Sequence, residues 1–369
     1  MNDLSFWEKV AFQTSYDLIV VGAGITGLSS ALFYRQSHPG GSVLVLERGA
    51  APRGASTRNA GFACIGSITE HQADLDRIPE EQLKTRIKRR FNGLELLKST
   101  LGADAIGYKP CGGYELFRSQ AAFSEAKQQI PKFNRWLLQL AGEEEVYTTG
   151  RLNGYPVIFN RLEGALHPGR MMKALIDRAK KAGIEIRWNA EVQQVVPAGF
   201  VLLDDGTEFA GDQVLVATNG FVKNLWPGTE VTPARGYILL TAPIDNLEWR
   251  GTFHHDRGYL YFRDAGDRLL LGGGRNIAEQ EEATDQLGIN LKIKEYLVRF
   301  AEETLKLPSG WKIEQEWSGI MGFTENKMPV VKHMEGRIFT AAGLSGMGIS
   351  IGMQVGSEAV ELLRSGSKK

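Results

Sequence analysis

Cysteine is almost missing from this chain: its 369 residues hold two, Cys64 and Cys111. They make no Cys-x-x-Cys pair and show no metal-ligand spacing. A disulfide framework is therefore not expected, and a reducing compartment, the cytoplasm, fits best. The six histidines, His38, His71, His167, His254, His255 and His333, fall into no HExxH-like pattern, so no metal is expected. Net charge is absent as well. Lysine plus arginine number 43, aspartate plus glutamate also 43, and the pI is near 7.0. Such a balance argues against a nucleic-acid or polyanion partner. The densest basic run, Lys84, Arg86, Lys88, Arg89 and Arg90, reads as a solvated helix face. No uncharged apolar run reaches the roughly 18 residues of a transmembrane helix, which leaves contact with a membrane surface open. The opening MNDLSFWEKVAFQTS sets Asp3, Glu8 and Lys9 among its apolar residues and lacks a signal-peptide core. There is no solenoid repeat, and low complexity is confined to the tail 365–369.

Glycine is what the chain has in plenty, 43 residues, much of it clustered at 22–27, 272–274 and 343–352. The first cluster sits in DLIVVGAGITGLSSALFYRQSHPGGSVLVLE, residues 17–47. Asp17 to Val21 reads as a strand, a helix opens on Gly22-x-Gly24-x-x-Gly27, and Val43 to Leu46 is a second strand ended by Glu47. Each part has a physical task. Gly22 permits a tight turn, Gly24 lets backbone approach a pyrophosphate, and Gly27 lets helix and strand pack closely. The helix start offers free N–H groups and a positive dipole end to phosphates. Glu47, about 20 residues past the last glycine, is placed to accept from ribose hydroxyls. The unit reads as a dinucleotide site.

The length suggests two or three domains, and a 43% hydrophobic composition can bury a sizeable core. Residues 80–101, 121–141 and 170–182 have helical spacing; 112–117, 184–188, 191–196, 200–209 and 213–218 read as strands, with a hairpin turn at Asp205-Gly206. From 235 to 274 the pattern becomes antiparallel sheet, turning at 256–258 and 265–267. RIFTAA, 337–342, is a last strand before a glycine turn and a helix within 343–363. The chain thus begins and ends in dinucleotide-binding elements, with a mostly antiparallel layer inserted twice.

Four more stretches bear on the cofactor: GASTRNAGF (54–62), LHPGR (166–170), ATNG (217–220) and AGLSGMG (342–348). With the glycine fingerprint they resemble the D-amino-acid-oxidase-like family of FAD-dependent amine oxidoreductases, in the right order over nearly the whole chain. Arg58-Asn59 and the GLSGMG turn resemble most the γ-glutamylputrescine oxidase branch. The resemblance implies an α/β chain, α+β overall. A Rossmann-type FAD-binding domain of the glutathione-reductase-like kind would comprise 1–90, 156–230 and 326–369. A mainly antiparallel β substrate domain would comprise 91–155 and 231–325. It further implies FAD contacts from Gly22, Gly24, Ile25, Thr26, Gly27, Glu47 and Arg48, and from a loop under the flavin, Ser56, Thr57, Arg58, Asn59, Ala60, Gly61 and Phe62. Val192 would touch the adenine end through its backbone. Ala217, Thr218, Asn219 and Gly220, with Gly343, Ser345, Gly346, Met347, Gly348 and Ile349, complete the set. The last helix, starting near Ser345, would aim its positive end at the flavin C2 carbonyl.

The reaction the resemblance implies is removal of hydride from a carbon bearing nitrogen, to flavin N5, giving an imine that hydrolyses, with oxygen or a quinone reoxidising the flavin. Candidates on the substrate side are Tyr259 and Tyr261, sharing one strand face by period-two alternation, and Arg275, whose strand ends in three glycines. His254 and His255 point to opposite faces, so at most one lines the site. Glycine oxidase and D-amino-acid oxidase carry a carboxylate-binding arginine where this chain, in WSGIMGFTENKMP (317–329), has Met321. Methionine offers no bidentate clamp, so either Arg275 replaces it or the substrate lacks an α-carboxylate. The cysteine that sarcosine oxidase bonds to its flavin in this region is missing, so FAD is expected to be non-covalent. Two alternatives stand beside the amine or amino-acid substrate: a 2-hydroxy acid of the L-2-hydroxyglutarate kind, and an FAD-binding redox subunit without turnover.

Overall fold

The computed structural model describes residues 14–366 together with Ser5 and Trp7; most of the opening segment read for a leader, and residues 367–369 of the tail, lie outside the described residues. In chain order, β1 (Ser15–Val21), α1 (Ile25–Ser37) and β2 (Val43–Glu47) form the first unit. The short α2 (Ala55–Arg58) and β3 (Phe62–Ala63) lead to α3 (Ile68–Leu75) and the long α4 (Glu80–Leu101). Next come β4 (Gly113–Leu116), α5 (Gln120–Ala141), β5 (Tyr147–Leu152), β6 (Tyr155–Asn160), β7 (Gly164–Ala165) and α6 (Pro168–Lys181). β8 (Glu185–Trp188), β9 (Val192–Val195), β10 (Phe200–Leu203), β11 (Glu208–Val216) and α7 (Val222–Leu225) follow. β12 (Thr232–Thr241), β13 (Thr252–His255), β14 (Leu260–Ala265) and β15 (Arg268–Gly273) run on to α8 (Leu291–Glu303) and β16 (Ile313–Phe323). β17 (Val330–Glu335), β18 (Ile338–Ala342) and α9 (Gly348–Gly366) end the chain.

Two eight-stranded sheets carry the fold. The first has the order β17-β18-β11-β1-β2-β8, with β10 and β9 added beside β11. Its strands β1, β2, β8, β11 and β18 are mutually parallel. Both faces of this parallel core are covered, which is why β1, β2 and β18 read as continuous apolar runs rather than alternating ones. One face packs α1, α4 and α9 through residues such as Leu28, Leu94 and Val355. The other face carries the β9–β11 meander, whose turn at Asp205-Gly206 forms as expected, with Thr207 N–H donating to Asp205 Oδ1 at 2.8 Å. β11 runs unbroken from 208 to 216, where the sequence suggested two pieces.

The second sheet has the order β16-β12-β15-β14-β13-β4-β6-β5 and is antiparallel except between β13 and β4. Its outer face buries Phe253, Phe262 and Leu271 under Ile293, Leu297 and Phe300 of α8. Both β5 and β6 belong to it, so the boundary expected at 155/156 falls inside their hairpin. The boundary expected at 90/91 likewise falls inside α4.

The basic run of α4 corrects another expectation. Arg86 and Arg90 are each 1% exposed. Arg86 is paired with Asp74, and Arg90 Nη2 lies 3.0 Å from Glu70 Oε1. Spaced four apart, they share the helix face that turns inward, and two acids of α3 meet them there. Arg89 is held by Glu358 of α9.

Close helix packing rests on small residues. A Cβ on Gly93 of α4 would collide with the carbonyl oxygen of Ser350 in α9, and one on Gly356 of α9 would collide with Ser29 of α1. Backbone cannot swing aside as a long side chain can. Gly93→Ala should therefore destabilise the protein by about 1–3 kcal/mol, the usual range for overpacking. Urea unfolding would register this as a lower midpoint at unchanged slope.

Candidate active site

A single cavity of about 1190 Å³ runs from the glycine turn after β1 to the inner face of the second sheet. At its first end Gly22 has φ +105°, and a Cβ there would stand 3.0 Å from the Ala217 carbonyl oxygen. Gly24 has only Ser56 Oγ near its missing Cβ, at 3.2 Å, and faces open space otherwise. A Cβ on Gly27 would collide with the Gly22 carbonyl oxygen. The three glycines thus serve turn, approach and packing in that order. At the start of α1 the Ile25 N–H donates to Ser56 Oγ, at 3.0 Å. The Glu47 carboxylate accepts from Ala23 N–H at 3.0 Å and Gly49 N–H at 3.2 Å, which fixes it at the cavity edge. Arg48 lies 4.1 Å over the Phe221 ring. Val192 lines the same end beside Ala190 and Glu191.

The loop 54–62 is tied from several sides. Asn59 Nδ2 donates to the carbonyls of Ala55 and Ser56, and its Oδ1 accepts from Gly61 N–H, each at 2.9 Å. Arg58 Nη1 donates to the Ser318 carbonyl at 2.7 Å, and Trp317 Nε1 donates to the Arg58 carbonyl at 2.9 Å. Arg263 Nη1 reaches the carbonyls of Gly61 and Leu166, both at 2.9 Å. Ser56, Arg58, Asn59, Ala60, Gly61 and Phe62 line the cavity, whereas the Thr57 hydroxyl turns back to the Pro52 carbonyl. Ala217, Thr218 and Asn219 line it too, while Gly220 lies behind, against the Met321 carbonyl.

Asn219 Oδ1 accepts from the N–H groups of Gly343 and Leu344, at 3.1 and 3.3 Å. Gly343, Ser345 and Gly346 all hold positive φ. Helical backbone cannot pass through such a run, so α9 begins at Gly348 and not near Ser345. Ser345, Gly346, Met347, Gly348 and Ile349 line the cavity, and Gly343 supports them from behind.

Across the second sheet, Ile238, Gly272, Tyr261 and His254 stand in one register row on the cavity side. A Cβ on Gly272 would collide with the Tyr261 ring, so glycine lets that ring lie across its neighbour strand. Burial pushes the Tyr261 hydroxyl up to about 12. Tyr259 lines the cavity from the turn before β14, not from the strand itself as period two suggested. Its carbonyl accepts from Gly274 N–H at 2.7 Å, a close approach that the glycines of 272–274 permit. Arg275 lines the cavity with its guanidinium 4.5 Å over Phe323, and Nη1 lies 3.0 Å from Glu279 Oε1. Met321 lines the cavity as well, its thioether packed near Gly236 and Gly346.

The two neighbouring histidines divide as alternation requires. His255 turns to the Leu116 carbonyl and the Phe300 ring. His254 lines the cavity and donates from Nε2 to the buried Glu163, at 2.9 Å. Sequence reading missed Glu163, Arg263 and Phe323. Alternation from Tyr261 and Met321 could have found the last two, whereas Glu163 stands in an irregular connection with no pattern around it.

Among the described residues the buried hydroxyl oxygens of Thr26 and Thr218 have no hydrogen-bond partner, and both residues line the cavity. Together with the space left at Gly24 they fit a long polar ligand carrying phosphates and hydroxyls. Cys64 also lines the cavity, but burial and the nearby Glu163 push its thiol well above its ordinary value, which disfavours a reactive thiolate.

Comparison with known proteins agrees. The family model described as DAO, FAD dependent oxidoreductase, matches residues 17–362. The γ-glutamylputrescine oxidoreductase of Escherichia coli K12 is 24% identical over 395 residues, covering 100% of this chain and 88% of its own. Glycine oxidase from Geobacillus kaustophilus superposes with a TM-score of 0.74 at 19% identity, covering 96% of this chain and 95% of its own. L-proline dehydrogenase from P. horikoshii gives 0.76 at 16% identity, covering 96% of this chain and 95% of its own. At such identities the superpositions speak for the fold.

Two outcomes are expected for the cofactor. Acid precipitation of the yellow protein should leave all the flavin in the supernatant, and colour held in the pellet would mean covalent attachment. Gly24→Val should purify without FAD, because its branched side chain would fill the space open at Gly24, where the fingerprint leads one to expect the pyrophosphate; full flavin occupancy would move the phosphate site elsewhere.

Proposed function

The chain belongs to the DAO family of FAD-dependent oxidoreductases, and on that footing we propose that it oxidises the carbon–nitrogen bond of an amine or amino acid. The observation that supports this is the continuity of the cavity, which joins the glycine turn and the α9 start to the face bearing Tyr259, Tyr261, Arg275 and Met321. FAD, which the glycine turn, the loop 54–62 and the start of α9 would hold there, would supply a hydride acceptor for the carbon bearing nitrogen, and water would hydrolyse the resulting imine. The protein's part is to bind, orient and exclude water. Phe62, Tyr261 and Ile238 give that end an apolar wall, where charge interactions strengthen because the dielectric is low.

Met321 stands about where the resemblance places a carboxylate-binding arginine, and a thioether cannot form such a clamp. Arg275 is the cation placed to meet an anionic group instead. Its partner Glu279 is 67% exposed and can swing away, whereas the guanidinium is held over Phe323. The test of the reaction class is anaerobic bleaching of the flavin by a panel of amines, amino acids and 2-hydroxy acids. Amines and amino acids should bleach it; bleaching by hydroxy acids alone would replace the proposed bond with C–O, and bleaching by none would remove the proposal. Arg275→Ala should keep its FAD and lose about 30-fold in kcat/KM, the lower end of the 2–5 kcal/mol for a partly buried charge pair. Full activity in that variant would mean that the substrate carries no anionic group there.

A further inference from the structure

The reaction proposed above needs an unprotonated nitrogen, since its lone pair must form the C=N bond as hydride leaves. An amine in neutral water arrives as ammonium, whose ordinary pKa is about 10. Nothing yet assigned takes that proton. We propose that His254, oriented by Glu163, is the general base that removes it.

The geometry begins with Glu163. It is 1% exposed and its Oε1 accepts from the N–H groups of Ile65 and Gly66, both at 3.1 Å. A Cβ on Gly113 would collide with Oε2, so the carboxylate is wedged in place. Oε2 accepts from His254 Nε2 at 2.9 Å. That bond fixes the tautomer with hydrogen on Nε2, leaving the Nδ1 lone pair free. Among the described residues Nδ1 has no hydrogen-bond partner, while the ring lines the cavity. The ring is edge-on to Phe62, with centroids 5.3 Å apart, and is the cross-strand neighbour of Tyr261. It therefore stands on the wall assigned to the substrate.

The groups facing His254 come from every element around it. They are Glu163 before β7, Cys64 after β3, Tyr261 on β14 and Glu115 on β4, with Glu70 and Arg90 farther off. Burial by itself pulls the imidazole down, but Glu163, backed by Glu70 and Glu115, outweighs it and leaves His254 above its ordinary value. A base raised in this way is closer to the ammonium it must deprotonate. In the step, the N–H bond of the substrate ammonium breaks and its proton moves to Nδ1. The nitrogen keeps the electron pair and forms the C=N bond as the carbon releases hydride to FAD. His254 then yields its proton to bulk water before the next turnover.

This rests on the amine-oxidising reading, and the test separates the two. The rate of anaerobic flavin reduction by the best amine of the panel is followed against pH in the holoenzyme. The parent rate should rise through the pKa of His254 and then level. His254→Gln should be slower by roughly 100-fold at pH 7 and should climb about tenfold per pH unit toward the ammonium pKa. An amine whose ammonium is already deprotonated at the assay pH should be oxidised equally by both. Glu163→Gln should shift the profile's inflection to lower pH. The histidine NMR signal lost in His254→Gln should titrate above 6.5 in the parent and lower in Glu163→Gln. If no amine reduces the parent, the functional reading fails and this assignment with it. If amines reduce the parent and His254→Gln keeps its profile, only the assignment fails. If both variants lose their flavin, the pair is structural and the proposal is overturned.

Discussion

The molecule depends on one seam of backbone hydrogen bonds. Where β11, β16 and β18 end, chain segments from both sheets meet, and their peptide groups must be satisfied away from water. Asn219, after β11, accepts from Gly343 and Leu344 through its side chain. The Ser345 N–H donates to the Gly322 carbonyl of β16 at 2.8 Å. Left-handed backbone at Asn219, Gly343, Ser345 and Gly346 makes this stitching possible. Because the seam lies at the cavity, the placement of the two sheets and the start of α9 are set by the same few bonds.

A second tie is ionic. Arg86 and Lys327 share Asp74, and Arg90 takes Glu70. These pairs join α3, α4 and the turn at 324–327 behind the cavity wall. Burial holds His71 neutral, down to about 3, among these charges, and its Nε2 lies 3.2 Å from the Tyr147 hydroxyl. Breaking one partner of such a pair leaves an uncompensated buried charge, which costs far more than the pair itself contributes. The network thus acts against alternative packings of α3 and α4 more than it adds stability.

The end of the cavity at the second sheet combines an apolar wall with few fixed polar groups. Glycines at 272–274 let Tyr261 lie flat and Tyr259 approach, so the aromatic surface is shaped by residues that have no side chain. On that wall the charged groups are paired within the protein, Arg275 with Glu279 and His254 with Glu163. A substrate entering must compete with, or use, those pairs.

The sequence by itself determined the cofactor end. A glycine turn between a strand and a helix has few physical solutions, so Gly22, Gly24, Gly27 and Glu47 were legible from spacing, and the alternation of 235–274 announced an antiparallel layer. The other residues expected to contact FAD came from the resemblance. Tertiary structure alone decided which face of α4 is buried, because helical charge spacing is the same whether water or Asp74 and Glu70 receives it. It alone delayed α9 to Gly348, because positive φ at Ser345, a non-glycine residue, is imposed by the bond to Gly322. And it alone brought Glu163 to His254, 91 residues apart in the chain, because β4 pairs on one side with β13, which carries His254, and on the other with β6, just past which Glu163 stands, an arrangement that leaves no trace in local sequence.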